Sequence, residues 1–504
     1  MRHIMFSCSH IPDDRPRIVF LSRSYWPDLE ATGQLLTQLC ETLADEFQVE
    51  VVAGLPNSLS ADAPADWQSQ TVHNGVRIHR LRHLRLPKRS ILPRIANYLS
   101  FQLSVRRMLK RIGQPDVLVF ETTPFVLANE AGRLMNRMPL RVVGYLQVIH
   151  PDVGIALGKV PNNRFIQAIR RDLFDVYQRC DRMVVPSSDM RQLLLEDGLE
   201  ADRVQVIPNW ADVQQIRPLE RVTAFRQLNG LADKFIVMYS GNFGMTQRLD
   251  HIIQAAARLA DDPQIHFVFV GRGSLEQALK QQVQQPGLKN VTITGYQPLS
   301  KLNISLNAAD LHLVPLTAQL TRCLMPSKLY GIVADGRPLL TNAPAESELH
   351  QLTVQHQVGL VVQPEQIDQV VQQIRWASQH PQQMQQMGHN ARQLALQQYT
   401  FEHSLRKFRH LLHTVLAGAG KHVNCQCCQQ VTEKLSPKTT DSTSRGHSLR
   451  QPWEEGSRAA RHLCRATAQA VLRHNSSLRA ESSGWKARAK LKLSFLVKNF
   501  SKSS

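Results

Sequence analysis

The sequence predicts an α/β protein made of two Rossmann-like domains, each built on a doubly wound parallel sheet. Apolar runs of strand length alternate with segments of helical periodicity along most of the 504-residue chain, as in repeated strand–helix–strand units. These runs form two sets, separated by a linker near 210–230. We therefore predict an N-terminal domain over 1–215 and a second domain over 216–395, facing each other across a cleft.

The first set of strands starts with the buried run RIVFL at 17–21. Residues 33–47 follow with apolar side chains at a nearly helical spacing, which indicates a helix. Further strands are predicted at 49–54, 76–81, 116–121, 141–147, 181–188 and 204–209. Because helical stretches separate these strands, they are expected to lie parallel in one sheet.

The second set predicts six strands, at 235–241, 266–271, 291–295, 310–315, 337–342 and 358–363. The strand at 266–271 ends in Gly271-Arg272-Gly273, which is similar to a dinucleotide-binding turn but lacks its third glycine. After Gly418 the composition changes, and 434–448 is poor in bulky residues, as disordered segments are. We therefore expect 418–504 to be a basic tail that is disordered or partly helical.

Charge is concentrated in particular segments of the chain. The formal net charge is +19, of which residues 421–504 contribute +11, from 16 Lys and Arg against 5 Asp and Glu. The run at 77–94 is rich in arginine and contains no acid. Such surfaces attract phosphates, whether of nucleic acid, anionic lipid or a nucleotide-sugar. A polyanion-binding protein is one alternative, but no nucleic-acid module is recognisable, so nucleic acid is not an expected partner.

The location of the protein is predicted from what its sequence contains. No run of about 18 apolar residues is present, so no transmembrane helix is expected. The N-terminal segment has too short an apolar core for a signal peptide, and several cysteines are dispersed, as in reduced proteins. We expect a cytoplasmic protein. The basic runs at 77–94 and 485–499 further predict peripheral attachment to the inner face of an anionic membrane.

The segment MPSKLYGIVADGRPLL at 325–340 is the most informative in the chain. It follows a strand that ends at Pro315 and places a polar loop immediately before a helix. The amide groups and positive dipole at such a helix start suit a diphosphate, and Lys328 adds a charge in the first turn. Taken alone, an ordinary strand–loop–helix with a solvated lysine explains this pattern equally well.

The segment resembles the donor-binding segment PSKxYxxxAxGxP of family 4 glycosyltransferases, which have the GT-B fold. Five further blocks are similar to that family in the same order, and together the six span roughly 17–416. They lie at 17–44, 206–212, 237–259, 267–279 and 291–316. The similarity is greatest to members proposed to act in exopolysaccharide, colanic-acid and lipopolysaccharide assembly. It implies a final crossover helix at 396–417 that packs back on the N-terminal domain.

The resemblance implies transfer of a sugar from a UDP- or GDP-sugar to a glycan or a lipid-linked acceptor, without a metal or another cofactor. No carboxylate pair of the DxD type follows a predicted strand, which agrees with transfer that needs no metal ion. Arg248 would supply a cation for the phosphates, although a surface arginine at a helix start is the plainer interpretation. The expected donor-binding residues are Gly241, Asn242, Arg248, Gly271, Met325, Pro326, Ser327, Lys328, Tyr330 and Gly331.

The N-terminal domain is expected to bind the acceptor side of the reaction. Thr32 and Gly33 occupy the family's glycine loop near the sugar phosphate, and Glu121 ends a strand on the same side. His150 and Asp152 follow another strand where relatives keep catalytic polar residues, so His150 is a candidate base. A structural loop histidine fits the same pattern.

Three positions depart from the family pattern. Cys323 and Gly331 stand where many members have two glutamates, the second of which holds the ribose hydroxyls. Val148 stands where relatives often have an aspartate. These departures leave a catalytically inactive GT-B scaffold subunit open as an alternative. Another GT-B enzyme, such as a nucleotide-sugar epimerase, is a further alternative, but the PSK segment and the final crossover helix favour a transferase.

Overall fold

The structure, a computed structural model, contains two parallel sheets with helices on both faces, which confirms the predicted α/β class. It describes residues 14–56, 59, 63, 66–68, 70–86, 91–220, 223–244, 247–284 and 288–418. The predicted tail beyond Gly418, including the basic run at 485–499, lies outside the described residues. So do positions 87–90 of the basic run at 77–94.

The first sheet has eight strands in the order β3-β4-β2-β1-β5-β6-β7-β8. Only β3 is antiparallel to its neighbour. The strands are β1 (Arg17–Ser22), β2 (Gln48–Ala53), β3 (Val72–His73), β4 (Val76–Arg80), β5 (Val117–Glu121), β6 (Arg141–Tyr145), β7 (Arg182–Val185) and β8 (Val204–Val206). The helices that accompany them are α1 (Ala31–Leu43), α2 (Ile91–Ile112), α3 (Val126–Met135), α4 (Asp152–Ala156), α5 (Arg164–Arg179) and α6 (Ser188–Glu196).

The second sheet has six parallel strands in the order β11-β10-β9-β12-β13-β14. They are β9 (Phe235–Ser240), β10 (Ile265–Val270), β11 (Val291–Thr294), β12 (Leu311–Pro315), β13 (Leu339–Asn342) and β14 (Gly359–Val362). The remaining helices are α7 (Ala224–Leu228), α8 (Leu249–Arg258), α9 (Glu276–Val283), α10 (Leu299–Leu306), α11 (Lys328–Asp335), α12 (Glu348–Gln355), α13 (Ile367–Gln379), α14 (Pro381–Gln398) and α15 (Phe401–Ala417).

The continuous apolar strands are explained by burial on both faces of each sheet. In β1, Ile18 and Phe20 belong to one core while Val19 and Leu21 belong to the core on the opposite face. In both sheets the strand order reverses beside the first strand, between β1 and β5 and between β9 and β12. Ligands of open α/β sheets bind outside the carboxyl ends of the strands at such points.

Helix α15 returns from the second domain to the first. It begins after Thr400, whose side chain accepts a hydrogen bond from His403 N, and the backbone at Ala211 pairs with Thr400. Phe408 packs edge-on against Tyr145, with ring centroids 5.1 Å apart, in the core that also contains β1. The predicted domain boundary near 215 falls between β8 and α7, whereas the one near 395 falls inside α14, and both stay predictions.

The N-termini of α6 and α12 face each other across the two domains, and each donates hydrogen bonds to a carboxylate of the other helix. The Asp189 carboxylate, in α6, accepts a hydrogen bond from Glu348 N at 2.9 Å. The Glu348 carboxylate, in α12, accepts from the Ser188 hydroxyl at 2.6 Å and also contacts Ser188 N. Each carboxylate therefore satisfies the positive end of the other domain's helix, which stabilises their approach.

Candidate active site

A cavity of about 1120 Å³ lies between the two sheets and is lined by residues of both domains. Nine of the predicted site residues line it, namely Thr32, Gly241, Asn242, Met325, Pro326, Ser327, Lys328, Tyr330 and Gly331. Six do not, namely Gly33, Glu121, His150, Asp152, Arg248 and Gly271. The structure thus gathers most of the predicted donor residues in one place and leaves the predicted catalytic pair outside it.

Lys328 is the first residue of α11, and its Nζ atom points to the Tyr239 ring, 3.5 Å from the centroid. Although the residue as a whole is partly exposed, its Nζ atom is closed off from solvent. Within the described residues it has no hydrogen-bond partner. Burial lowers the pKa of this ammonium group well below its ordinary value. A buried, unpaired cation is costly, so an anion bound in the cavity would stabilise it.

The backbone beside Lys328 is shaped by close contacts between glycines. Gly241 follows β9 and Gly271 follows β10, and a Cβ atom on Gly271 would lie 1.9 Å from the carbonyl oxygen of Gly241. A Cβ on Gly241 would in turn lie 3.4 Å from Lys328 Nζ. Tyr239 fixes the same loop by donating its hydroxyl to Asn242 O at 2.8 Å. Gly271 therefore acts on the cavity indirectly, by allowing Gly241 its position.

Gln247 is a lining residue that the sequence analysis passed over in favour of its neighbour. Its Oε1 atom is buried and has no hydrogen-bond partner in the described part of the chain. Arg248 instead turns away, with Asp250 at 3.3 Å and Glu365 at 3.2 Å from its guanidinium. Because two carboxylates already offset its charge, Arg248 does not face the cavity as a free cation. Its predicted role in phosphate binding stays a prediction.

The N-terminal wall of the cavity carries a set of amide side chains that the sequence analysis did not single out. Asn209 and Gln147 bind each other twice, with Asn209 Nδ2 2.7 Å from Gln147 Oε1 and Gln147 Nε2 3.0 Å from Asn209 Oδ1. Trp210 donates its indole N–H to Gln38 Oε1 at 2.7 Å. Asn209 and Trp210 belong to the block at 206–212, which was the only signal that pointed to them.

His150 and Asp152 lie beside the cavity wall but do not line it. Burial lowers the pKa of His150 to about 4, so its imidazole is neutral near pH 7. Asp152 accepts a hydrogen bond from Arg170 Nε at 2.8 Å, and Arg170 also binds Asp197 Oδ1 at 2.6 Å. This ion-pair network holds α4 and α5 together. The carboxylate of Asp152 therefore has a structural role, which is an alternative to its predicted catalytic role.

Two of the positions that depart from the family meet at the contact between the domains. Val148 pairs with Leu324 in an antiparallel bridge, and Ile149 N donates to Cys323 O at 2.9 Å. The Cys323 thiol is buried, which raises its pKa to about 12. Apolar side chains therefore occupy this part of the cleft. The third departure, Gly331, has only Leu306 and Ile216 near its Cα, at van der Waals distance from a hypothetical Cβ.

Glu121 and Gly33 support the loop above the first sheet. Burial raises the pKa of Glu121 to about 8, and Oε2 contacts the Ser22 hydroxyl. That hydroxyl also lies 2.8 Å from Ser24 O. A hydroxyl has one proton, so if Ser22 donates it to Ser24, Glu121 must be protonated and donate to Ser22. A Cβ on Gly33 would lie 3.1 Å from Ser24 Cβ, which keeps α1 close to this loop.

No group of three or more His, Cys, Asp or Glu side chains in the described residues is arranged to hold a metal ion. Among the same residues, no helix is both long enough and apolar enough to cross a membrane.

Comparisons with known proteins match both halves of the chain. Residues 31–210 match the model of the glycosyl transferase 4-like domain, and residues 221–394 match the model of glycosyl transferases group 1. WcaI of Escherichia coli K12, a protein assigned to colanic acid biosynthesis as a glycosyl transferase, is 28% identical over 409 residues. This match covers 78% of the present chain and 98% of WcaI.

Solved structures show the same fold at low sequence identity. Sucrose-phosphate synthase from Thermosynechococcus elongatus superposes with a TM-score of 0.64 at 17% identity, over 80% of this chain and all of that one. Anabaena HepE, solved in complex with UDP-glucose, superposes with a TM-score of 0.60 at 16% identity, over 79% and 99%. With the two family models and the six sequence blocks, these findings show that the chain belongs to the group 1, family 4-like glycosyltransferases, enzymes of the GT-B fold.

Proposed function

We propose that this glycosyltransferase takes a sugar from a UDP- or GDP-sugar and transfers it to a glycan or lipid-linked acceptor of a cell-surface polysaccharide. The observation that carries the proposal is Lys328. Lys328 lines the cavity at the start of α11, and its ammonium group is buried without a hydrogen-bond partner among the described residues. A diphosphate is a ligand of the right charge for this position, because it accepts hydrogen bonds from both the ammonium and backbone amides.

The leaving group of the reaction is the nucleoside diphosphate, on which negative charge develops as the glycosidic bond breaks. Lys328 and the N-terminus of α11 would stabilise that charge together with the backbone of Gly241 and Asn242, which lies beside Lys328. The ammonium group of Lys328 and these backbone amides would take the place that a metal ion has in other transferases. We therefore propose metal-independent transfer.

The acceptor is assigned to the N-terminal wall. Thr32 and the paired amides of Gln147 and Asn209 present polar groups to the cavity opposite Lys328. An acceptor hydroxyl placed there would face the sugar of a donor bound to the second domain. For His150 to act as the base, as its position in the sequence predicts, the loop that carries it must move toward the cavity.

The names of relatives favour the polysaccharide context. WcaI is assigned to colanic acid biosynthesis, and HepE was solved with UDP-glucose, which makes a UDP-sugar the first donor to test. We place the reaction in the cytoplasm at the inner face of the membrane. The described cysteines Cys40, Cys180 and Cys323 are free thiols, as is usual in a reducing compartment.

The proposal is tested by titrating the full-length protein with a panel of UDP-, GDP- and ADP-sugars in a calorimeter, with and without EDTA. We expect one UDP- or GDP-sugar to bind with a dissociation constant below about 1 mM, with no loss in EDTA, and to be slowly hydrolysed. If no nucleotide-sugar binds, the chain is a GT-B scaffold that has lost its donor site. Activity that EDTA abolishes and Mg²⁺ restores would contradict the metal-independent mechanism.

A further inference from the structure

One face of helix α1 forms part of the N-terminal wall of the cavity. Four of its residues line the cavity, and their spacing of three and four positions places them on a single stripe of the helix, namely Ala31, Gln34, Leu35 and Gln38. The opposite side of the helix packs into the core of the N-terminal domain. The cavity is therefore bounded here by a fixed helix surface that combines two amide side chains with two apolar ones.

The Gln38 amide is held in one orientation by Trp210. The indole nitrogen lies 2.7 Å from Gln38 Oε1, and an indole N–H can only donate, so the amide oxygen must face it. Trp210 is itself buried and packs against Phe401 at the start of α15, with ring centroids 5.3 Å apart. Because this bond uses the oxygen of Gln38, its amide nitrogen is the group left to donate hydrogen bonds to a ligand.

The Gln147 amide is fixed in a similar way, by its two hydrogen bonds with Asn209. A primary amide has two N–H donors and two acceptor lone pairs, and this reciprocal pair uses one of each on both side chains. Asn209 is almost entirely buried, whereas Gln147 is partly exposed and lines the cavity. Gln147 therefore keeps one donor and one acceptor for a ligand.

The described side chains that line the N-terminal wall are all uncharged. Among the described residues, the charged side chains that line the cavity come from the linker and the second domain, namely Asp212, Arg217 and Lys328. The Asp212 carboxylate already accepts hydrogen bonds from the backbone of Gln214 and Gln215, both at 3.0 Å. An anion on the N-terminal wall would thus be desolvated without a cation on the same wall, and it would share the cavity with the proposed donor diphosphate.

We propose that Gln38 and Gln147 select the acceptor, and that the sugar they bind is uncharged. Resting on the proposed function, one hydroxyl group of this sugar accepts a hydrogen bond from Gln38, and another exchanges hydrogen bonds with Gln147, since hydroxyls both donate and accept. The C–H groups of the sugar lie against Ala31 and Leu35. A carboxylate or a phosphate dianion offers only acceptor atoms, so it would leave the acceptor atom of Gln147 without a partner.

The same chemistry limits how an acceptor that carries charge elsewhere binds. Where the acceptor sugar is joined to a lipid through phosphate groups, those groups must lie away from Gln38 and Gln147, so that only the uncharged sugar contacts the two amides. A sugar phosphorylated on a ring substituent, or a uronic acid, would bring its charge to the amides and be rejected.

The test measures sugar binding to the full-length protein by saturation-transfer NMR, with UDP or GDP added in excess. The uncharged probes are the methyl glycosides of glucose, galactose, mannose and fucose. The charged probes are glucose 6-phosphate, mannose 6-phosphate and glucuronate. We expect at least one uncharged glycoside to bind wild type, and the charged probes to bind about tenfold more weakly or worse.

Two variants test the amides and the absence of a cation separately. Gln147→Leu removes the donor and the acceptor and should weaken binding of the uncharged glycoside about tenfold. Gln34→Arg places a cation on the same stripe of α1 and can keep the hydrogen bond to Leu29 O. It should bind the phosphorylated sugars about tenfold more tightly than wild type does. Gln192→Leu is the matched control, since Gln192 is an exposed glutamine of α6 away from the cavity, and it should bind like wild type.

Far-UV circular dichroism reports whether the variants fold, and calorimetry with UDP and GDP reports nucleotide binding independently of the sugar. Gln34 is exposed, so Gln34→Arg is expected to fold even if Gln147→Leu does not. The proposal is overturned if no uncharged glycoside binds, if wild type binds the charged probes equally well, or if folded Gln147→Leu binds like the control. A Gln34→Arg variant with no gain for phosphorylated sugars overturns it as well. Failure of UDP and GDP to bind, with the sugar selectivity retained, would count against the proposed function and leave the role of the amides standing.

Discussion

Replacing Lys328 with methionine separates a ligand-binding role of this residue from a structural one. Methionine keeps the length and apolar stem of the side chain, so the packing around α11 is retained, while the buried ammonium group is removed. In the protein without ligand, this group is desolvated, has no hydrogen-bond partner among the described residues and lies at the positive end of a helix.

The free-energy effect of Lys328→Met differs between the protein without ligand and the protein with a bound diphosphate. Without ligand, removing the unpaired charge favours the variant, while losing the cation–π contact with Tyr239 costs about 0.5–2 kcal/mol. We therefore expect the free energy of unfolding to change by less than about 1 kcal/mol, because these effects oppose each other. With a diphosphate bound, the ammonium makes charged hydrogen bonds worth about 1.5–3 kcal/mol. The variant should then bind the nucleotide-sugar about 10- to 150-fold more weakly.

Urea unfolding measures the first quantity and isothermal calorimetry with UDP- and GDP-sugars measures the second. Lys280→Met is the matched control, since Lys280 is an exposed lysine of the same domain that pairs with Glu276 at 2.8 Å, away from the cavity. Equal donor affinity in wild type and Lys328→Met would refute the reasoning. A large loss of stability without ligand would also refute it, because Lys328 would then be a structural residue.

Three further predictions follow from other contacts. Because the pKa of Glu121 is raised to about 8 in the folded chain, its contribution to stability is present below the unfolded value near 4.5 and is lost as the pH rises through 8. Urea unfolding should therefore show that Glu121→Gln becomes more stable relative to wild type between pH 5 and pH 9. Gly271→Ala should lower the free energy of unfolding by about 2–4 kcal/mol and weaken donor binding, because its Cβ would lie 1.9 Å from Gly241 O. Glu348→Gln should cost about 1 kcal/mol and increase the radius of gyration in X-ray scattering, because it weakens the contact with Ser188.

Each of these predictions has a matched control. Glu346→Gln changes an exposed glutamate and should leave the pH dependence as it is. Gly113→Ala also substitutes a glycine with positive φ, but nothing lies within 4 Å of its Cβ, so it should cost only about 1 kcal/mol and leave donor binding unchanged. A flat difference for Glu121→Gln across the pH range, equal costs at Gly271 and Gly113, or an unchanged radius of gyration for Glu348→Gln would contradict the respective argument.

The strands could be located from sequence because burial on both faces leaves an unambiguous pattern. All six runs predicted for the second sheet coincide with β9 to β14 to within a few residues. The short strand β3, Val72–His73, was not predicted, because its two residues are half or fully exposed and carry no periodic signal. Lys328 was also placed correctly at the start of α11, since Pro-Ser before an apolar periodic segment marks a helix N-terminus.

Which polar and charged side chains are available at the cavity depends on contacts between residues far apart in sequence. The sequence favoured Arg248 as a cation, but only the fold brings Glu365 within 3.2 Å of it and so offsets its charge. It favoured Asp152, which the fold pairs with Arg170 from the next helix. It did not indicate Gln147 and Asn209, 62 positions apart, whose mutual hydrogen bonds exist only once β6 and the domain junction lie side by side.

The sequence by itself therefore determined the class of fold, the family and the helix that begins at Lys328, because each of these depends on local periodicity and on short motifs. The tertiary structure decided which charges remain unpaired. Whether a charge is paired depends on distances between segments. In the sequence, Lys328, Arg248 and Asp152 are all plausible site residues, and they differ in the partners that folding brings to them.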